Sequence, residues 1–446
     1  MKTRLGNFWE HLRSGYWFLP TLMAGIALLL SFLMIALDER VSPSVLAKLD
    51  WLYKNKPDGA RAVLSTIAGS MITVSGVVFS VTIVALSLTS SQFGPHVLRS
   101  FMRDRWNQIV LGTFIATFLY SLMVLRTIRG GETEAFVPHF ALTLAILLAI
   151  ASVGVLIFFI HHSSQSIQGP IIIARISEEL DETIERIFPK IEGENGDENE
   201  SVAARVKRLT PPNFSSESRA ITACTEGHLQ AVGRETFMEV AVEHDLVIQL
   251  IVRPGQFVTQ GDVLALAWPA DRVSDQVASE LCDAFLIGAA RTSEQDVAMP
   301  AEQLAEIAVR ALSPGINDPY TAMDCINRLG AGLRKLVDRP QPKPDHYDEQ
   351  KKLRLLVAPV ELSEMLQVAF LQILHYGKGN PTVVIGVLTA LGQVARCVNR
   401  EADRIAVQKM AASLLQTSQT SVPLEFHADV DFEFQSVMQK FSEKEG

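Results

Sequence analysis

Apolar positions along the chain fall into four long runs before residue 161 and into short, periodically interrupted runs after it. A helix that crosses a hydrocarbon core of about 30 Å needs about 20 mostly apolar residues, because its backbone polar groups must be satisfied within the segment. Residues 17–37, 62–90, 108–125 and 137–160 meet that requirement and predict four transmembrane helices. None of the four runs contains Asp, Glu, Lys or Arg, which removes the commonest marks of a proton relay or a coupled-ion site. The first run is too long for the apolar part of a signal peptide and lacks a small-residue cleavage site, so it is read as a retained span.

The second run is interrupted at a fixed interval. Thr66, Thr73, Ser80 and Ser87 recur every seven residues, and Gly69 and Gly76 follow the first two by three positions. Heptad spacing places them on one narrow stripe of a helix. Such a small, weakly polar stripe has two physical uses in lipid. It lets neighbouring helices approach closely, or it lines a hydrated pathway in an oligomer. Directly after it, Gly94-Pro95 breaks the helix, and Arg99, Arg103 and Arg105 make the next stretch basic and amphipathic. That stretch reads as an interfacial elbow among anionic headgroups, or as a collar coupling a soluble domain to a pore.

Beyond the fourth run, helical spacing over residues 171–187 predicts a helix leaving the membrane, followed by an acidic, Gly/Asn-rich linker. The period then shortens to that of strands at 220–224, 229–232 and 247–252. The turn pairs Pro254-Gly255 and Gly261-Asp262 bracket a further short strand. Residues 220–269 resemble the barrel-sandwich hybrid of biotinyl and lipoyl carrier domains. The segment has no lysine to carry such a group, so the resemblance implies the architecture without the cofactor.

Helical spacing returns after residue 276 and continues through 301–312, a helix from Tyr320, 361–376, 381–399 and 400–417, with one short helix after Pro423. Asp318 is placed as an N-cap with Pro319 at the first helical position. Two polar clusters stand out: Arg291, Gln295 and Asp296 in one, and Ser313, Asn317, Asp318 and Thr321 in the other. Each is either a structural turn held by capping bonds or a ligand site. Altogether the chain divides into a transmembrane domain (1–165), a connecting helix and acidic linker (166–213), a small β module (214–272) and a helical soluble domain (273–446). The fold class is a four-helix membrane part joined to an α+β soluble part.

Composition sharpens the compartment. The net charge of −9 comes mostly from the second half and disfavours a nucleic-acid partner, which would require a basic face. Cys224, Cys282, Cys325 and Cys397 are far apart and show no metal-ligand or disulfide spacing, which suits a reducing cytosol. Basic residues flank both sides of the bundle in nearly equal number, so the cytoplasmic placement of both termini rests on the missing signal and the unpaired thiols. Adjacent His161 and His162 point about 100° apart on a helix, which suits interfacial anchoring better than a metal. No phosphate-binding loop, zinc-protease helix or nucleophile elbow occurs, and neither an enzyme activity, a cofactor nor a metal is expected.

Several strings resemble an uncharacterised family of bacterial predicted membrane proteins, domain of unknown function 2254. They are Ser90-Ser91-Gln92-Phe93-Gly94-Pro95, Leu111-Gly112-Thr113-Phe114 with Tyr120, Arg291-Thr292 with Gln295-Asp296, and Ala311-Leu312-Ser313-Pro314-Gly315-Ile316-Asn317-Asp318-Pro319. The resemblance implies a bacterial inner membrane and carries no activity. The expectation is therefore a homo-oligomeric channel or passive transporter whose second span lines the pathway, with an ion or a cytoplasmic protein as further partner. The alternative is a membrane-anchored scaffold with a purely structural bundle.

Overall fold

The computed structural model describes residues 17–40, 56–94, 105–129, 136–166, 168–188 and 202–442. The chain forms two compact units, Met1–Ile171 and Ile172–Gly446.

Four helices in the first unit are long and apolar enough to cross a membrane: α1 (Phe18–Arg40), α2 (Pro57–Phe93), α3 (Arg105–Thr127) and α4 (His139–Ser166). They match the four predicted runs, beginning one residue late in α1 and two residues late in α4 and otherwise extending past them. At 1.5 Å per residue, α2 is roughly 55 Å long and outruns the hydrocarbon core by several turns. Proline at its first turn starts it, and Gly94, at φ 99°, ends it by donating its N–H to the Ser90 carbonyl. Pro95, Arg99 and Arg103 of the predicted elbow lie outside the described residues; Arg105 opens α3 and is exposed.

Helix α3 is the hub of this unit and packs against the other three. Its most apolar stretch is 44% buried, against 17%, 22% and 17% for α1, α2 and α4. Close approach to α1 is possible because residue 112 is glycine: a Cβ there would sit 2.6 Å from Met23 Sδ and 3.2 Å from Pro20 Cα. Polar bonds fix the register with α4. Thr117 Oγ1 and Ser152 Oγ are 3.2 Å apart, and the Tyr120 hydroxyl donates to the Ala141 carbonyl at 3.1 Å. The last turn of α1 also carries Asp38, which is buried. Its two carboxylate oxygens accept from the N–H groups of Phe140 (3.0 Å) and Ala141 (2.9 Å) at the start of α4, where unpaired donors and the helix dipole favour an anion.

The second unit begins within α5 (Gly169–Ile187), an amphipathic helix with Ile173, Ile176, Leu180 and Ile184 on its buried face. Lys335 reaches its Asp181 and Glu185, and Arg339 reaches Glu185, so two acids of this helix are ion-paired. Short helices α6 (Val202–Leu209) and α7 (Phe214–Glu217) precede the strands. In chain order these are β1 (Arg219–Thr222), β2 (Gly227–Val232), β3 (Val247–Leu250), β4 (Phe257–Val258), β5 (Val263–Trp268) and β6 (Phe285–Gly288). Helix α8 (Arg234–Glu243) separates β2 from β3, and α9 (Asp275–Asp283) precedes β6. Gly255 and Gly261 take positive φ at both predicted turns.

Among the described residues these strands form two open sheets and no closed barrel. One runs β4-β2-β6. The other runs β1-β5-β3-β8-β7 and recruits β7 (Asp345–Tyr347) and β8 (Leu353–Val357) from much later in the chain. The pairing of β3 with β8 is parallel. Helices α10 (Ala298–Ala311), α11 (Pro319–Val337), α12 (Leu362–Gly377), α13 (Pro381–Ala395), α14 (Glu401–Ser421) and α15 (His427–Ser442) make the helical part. The apolar α13 is at its centre, contacting α11, α12, α14 and α15.

Arg354 in β8 is nearly buried and reaches Asp348 (2.8 Å) and Asp245 (2.8 Å), while Arg272 bonds Asp245 at 2.6 Å. This network fastens β8 to the turn between α8 and β3. Hydrogen bonds from Arg354 and then Arg272 lower the Asp245 pKa from 3.8 to about 2.

Two outcomes are expected. Gly112→Val should cost about 1–3 kcal/mol by overpacking the α1–α3 contact, read as a lowered unfolding temperature in detergent. Because folding lowers the Asp245 pKa, its stabilisation is complete above the ordinary carboxylate value of 3.8 and is lost as pH falls toward about 2. Acid unfolding of Asp245→Asn should therefore depend less steeply on pH across that window than that of the wild type.

Candidate functional site

The side of α2 that packs on the bundle is set by Ala60, Leu64, Ala68, Met71, Ser75, Val78, Thr82, Ala85 and Thr89. At about 100° per residue these positions lie roughly opposite the stripe of Thr66, Gly69, Thr73, Gly76, Ser80 and Ser87. All six stripe residues are exposed. A Cβ added at Gly69 or Gly76 would meet nothing within 4 Å, so neither glycine serves a helix contact among the described residues. The close-packing use of the stripe is therefore not made among the described residues of one copy.

Three hydroxyls on the stripe are already bonded. Thr66 Oγ1 donates to the Ala62 carbonyl (2.8 Å), Thr73 Oγ1 to that of Gly69 (2.8 Å) and Ser80 Oγ to that of Gly76 (2.9 Å). Each hydroxyl oxygen keeps its lone pairs for a further donor. From Thr66 to Ser87 the stripe rises roughly 31 Å at 1.5 Å per residue, the full thickness of a hydrocarbon core. A local small-residue contact needs only a turn or two. Valine and phenylalanine at Val63, Val77, Phe79, Val81 and Val84 are exposed on the rest of the outer surface.

The polar clusters of the second unit are occupied by their own partners. Arg291 donates to Asp296 Oδ2 from Nε (2.9 Å) and Nη2 (2.6 Å) and also bonds Glu302. Asp296 Oδ1 accepts from the N–H groups of Ala298 (3.1 Å) and Met299 (3.3 Å), capping α10. Burial pushes the Asp296 carboxyl above the usual range against the pull of Arg291. Gln295 clasps Val232 of β2, its Oε1 accepting from the N–H at 3.0 Å and its Nε2 donating to the carbonyl at 3.3 Å. The Pro254-Gly255 turn comes so near Asp296 that a side chain at 255 would collide with the carboxylate, which ties the predicted turn to the predicted cluster. At the other cluster Asp318 Oδ1 accepts from the Tyr320 and Thr321 N–H groups (both 3.1 Å), and its Oδ2 accepts from the Thr321 hydroxyl at 2.6 Å. Asn317 takes φ 49°, and its N–H donates to the Ser313 carbonyl at 2.9 Å. Both clusters are thus built as caps, and Arg291–Asp296 joins α10 to the strands. The Asp245–Arg354–Asp348 network carried no sequence signal, because Asp245 is a single charge about a hundred residues from the other two.

Among the described residues no group of three or more His, Cys, Asp or Glu side chains is arranged to hold a metal ion.

Comparisons with known proteins agree with the membrane architecture. The sequence profile of a family described as "Predicted membrane protein (DUF2254)" matches residues 13–393. An uncharacterized protein of Mycobacterium bovis is 32% identical over 415 residues, covering 92% of this chain and 77% of its own. Uncharacterized proteins of Mycobacterium tuberculosis strains H37Rv and CDC 1551 match at the same identity and coverage. No solved structure matches the chain.

Removing Arg291 leaves the Asp296 carboxylate buried and unpaired. Arg291→Met should lose on the order of 3 kcal/mol in denaturant unfolding, whereas Thr292→Val, whose hydroxyl makes only a long bond to the Gln230 carbonyl, should lose under about 1 kcal/mol.

Proposed function

The chain belongs to the DUF2254 family of predicted membrane proteins, and we propose that it is a homo-oligomeric channel or passive transporter of the bacterial inner membrane. In this reading several copies place α2 around a common axis, the outward stripe lines the pathway, and the soluble unit, in the cytoplasm with both termini, regulates it. No enzymatic step is involved, and the permeant species is an ion or a small polar solute.

The observation that carries the reading is the orientation of α2. Its small hydroxyl-bearing face is turned away from the other three helices and runs the full thickness of a bilayer core. A face directed at lipid gains nothing from a line of hydroxyls and bare glycine carbonyls, whereas a pathway uses their lone pairs to replace part of a permeating solute's hydration. The absence of charged side chains along the stripe favours passive movement over proton-driven pumping.

A second reading is supported by the intrahelical bonds of Thr66, Thr73 and Ser80. Hydroxyls satisfied within their own helix can also face lipid, and the bundle would then anchor a cytoplasmic scaffold.

Liposome flux and single-channel recording on the purified protein separate the two. The wild type should conduct, and Thr73→Leu/Ser80→Leu should abolish the current while leaving the unfolding temperature and oligomer size unchanged. Equal conductance in wild type and double variant would reject α2 as the lining helix. Silence of folded wild type across ions and voltages would favour the anchor.

A further inference from the structure

The four cysteines are scattered in sequence, but two of them meet in the fold. Cys325 is buried in α11, and Cys397 lies beside Arg334, whose Nε is 3.4 Å from its sulfur. Cys224 follows β1 in the loop leading to β2, and Cys282 sits in the last turn of α9. Both thiols point at one oxygen, the carbonyl of Thr222 at the end of β1. It lies 3.5 Å from Cys282 Sγ and 3.9 Å from Cys224 Sγ. Sharing that one acceptor places the two sulfurs side by side, and both are free thiols.

Their surroundings differ in a way that assigns them different roles. Cys224 is exposed, while Cys282 is buried. Burial, with the neighbouring Cys224 thiol, pushes the Cys282 thiol up to about 11. A thiol held protonated is a poor first target for an oxidant, because the thiolate is the reacting species. An exposed sulfur with a second thiol poised beside it is the arrangement of a redox-responsive pair.

We propose that Cys224 and Cys282 form a reversible dithiol–disulfide site that responds to hydroperoxides. The Cys224 thiolate attacks the peroxide O–O bond. The sulfur gives up two electrons and becomes a sulfenic acid, and the peroxide leaves as water or an alcohol. The Cys282 sulfur then attacks the sulfenic sulfur; the S–S bond forms and the hydroxide departs with the Cys282 proton as water. Two thiols and one hydroperoxide thus give one disulfide, one water and one further water or alcohol. A small dithiol reductant reverses the change by exchange and is itself oxidised. The new bond would tie the β1–β2 loop to α9, two elements distant in sequence, and such a link restricts the unfolded chain and raises stability. The inference rests on the soluble unit alone and holds whether or not the membrane helices conduct.

The test uses full-length reduced protein in detergent, treated with a slight excess of hydrogen peroxide, alkylated, and analysed by intact and peptide mass spectrometry. Wild type should become two hydrogens lighter, with a single Cys224–Cys282 cross-linked peptide pair that dithiothreitol removes, and its unfolding temperature should rise. In Cys282→Ser the reaction should halt at a Cys224 sulfenic acid trapped by dimedone, and in Cys224→Ser residue 282 should stay reduced. A wild type that accumulates dimedone-reactive or over-oxidised Cys224 with no cross-link overturns the proposal, as does oxidation of Cys282 ahead of Cys224. The wild-type peptide map decides the matter even if either variant folds poorly.

Discussion

A backbone surrounded by hydrocarbon has no water to bond, and that constraint organises the first 171 residues. It makes each apolar run a helix and favours pairing of the polar groups that are buried between the helices. Asp38 shows the rule at its most demanding. A carboxylate at the end of α1 is kept because two N–H groups at the start of α4 have no intrahelical acceptor. The Thr117–Ser152 and Tyr120–Ala141 bonds hold α3 to α4 by the same logic. With α3 at the hub and glycine at 112 drawing α1 against it, α2 needs only one of its faces for the bundle. Its other face, with the glycine and hydroxyl stripe, is exposed among the described residues.

In water the second unit obeys a different economy. Apolar burial drives it together, and the polar groups that go inside are paired. Arg291–Asp296 and Arg354–Asp348 are local pairs, whereas Arg354 with Asp245 bridges segments that the sequence keeps far apart, and Arg291 with Glu302 ties the loop after β6 to α10. Arg354 and Arg291 have the planar fork that satisfies two acceptors at once, which a lysine could not do in the same space. These pairs stitch the late strands and the helical part onto the early strands. The parallel β3–β8 pairing, which brings Leu355 to Val357 alongside Ile248 to Leu250, does the same through the backbone.

Much of this was legible in the sequence, for local reasons. Span positions follow from run length, the ends of α2 and α11 from proline, glycine and a capping aspartate, and β1 to β5 from short-period runs divided by Pro254-Gly255 and Gly261-Asp262. Other features were not legible. Helix α8 is short and weakly amphipathic, and β6, β7 and β8 are short strands lying apart from the others, between helical runs. Whether Arg291 and Asp296 hold a ligand or cap a helix could not be read from their spacing, since both uses need the same residue types; the bonds to Ala298, Met299 and Glu302 come from the tertiary structure.

By itself, then, the sequence determined the membrane location of the first four helices, the start and stop of most elements, and the heptad stripe on α2. Each of these depends on residues within a few turns of one another. The tertiary structure alone decided which way that stripe faces, that the strands form two open sheets with a late parallel partner, and that Cys224 and Cys282 share the Thr222 carbonyl. Those outcomes depend on which distant segments pack together, and packing is settled by shape and pairing across the fold, which no local pattern of apolar and polar positions encodes.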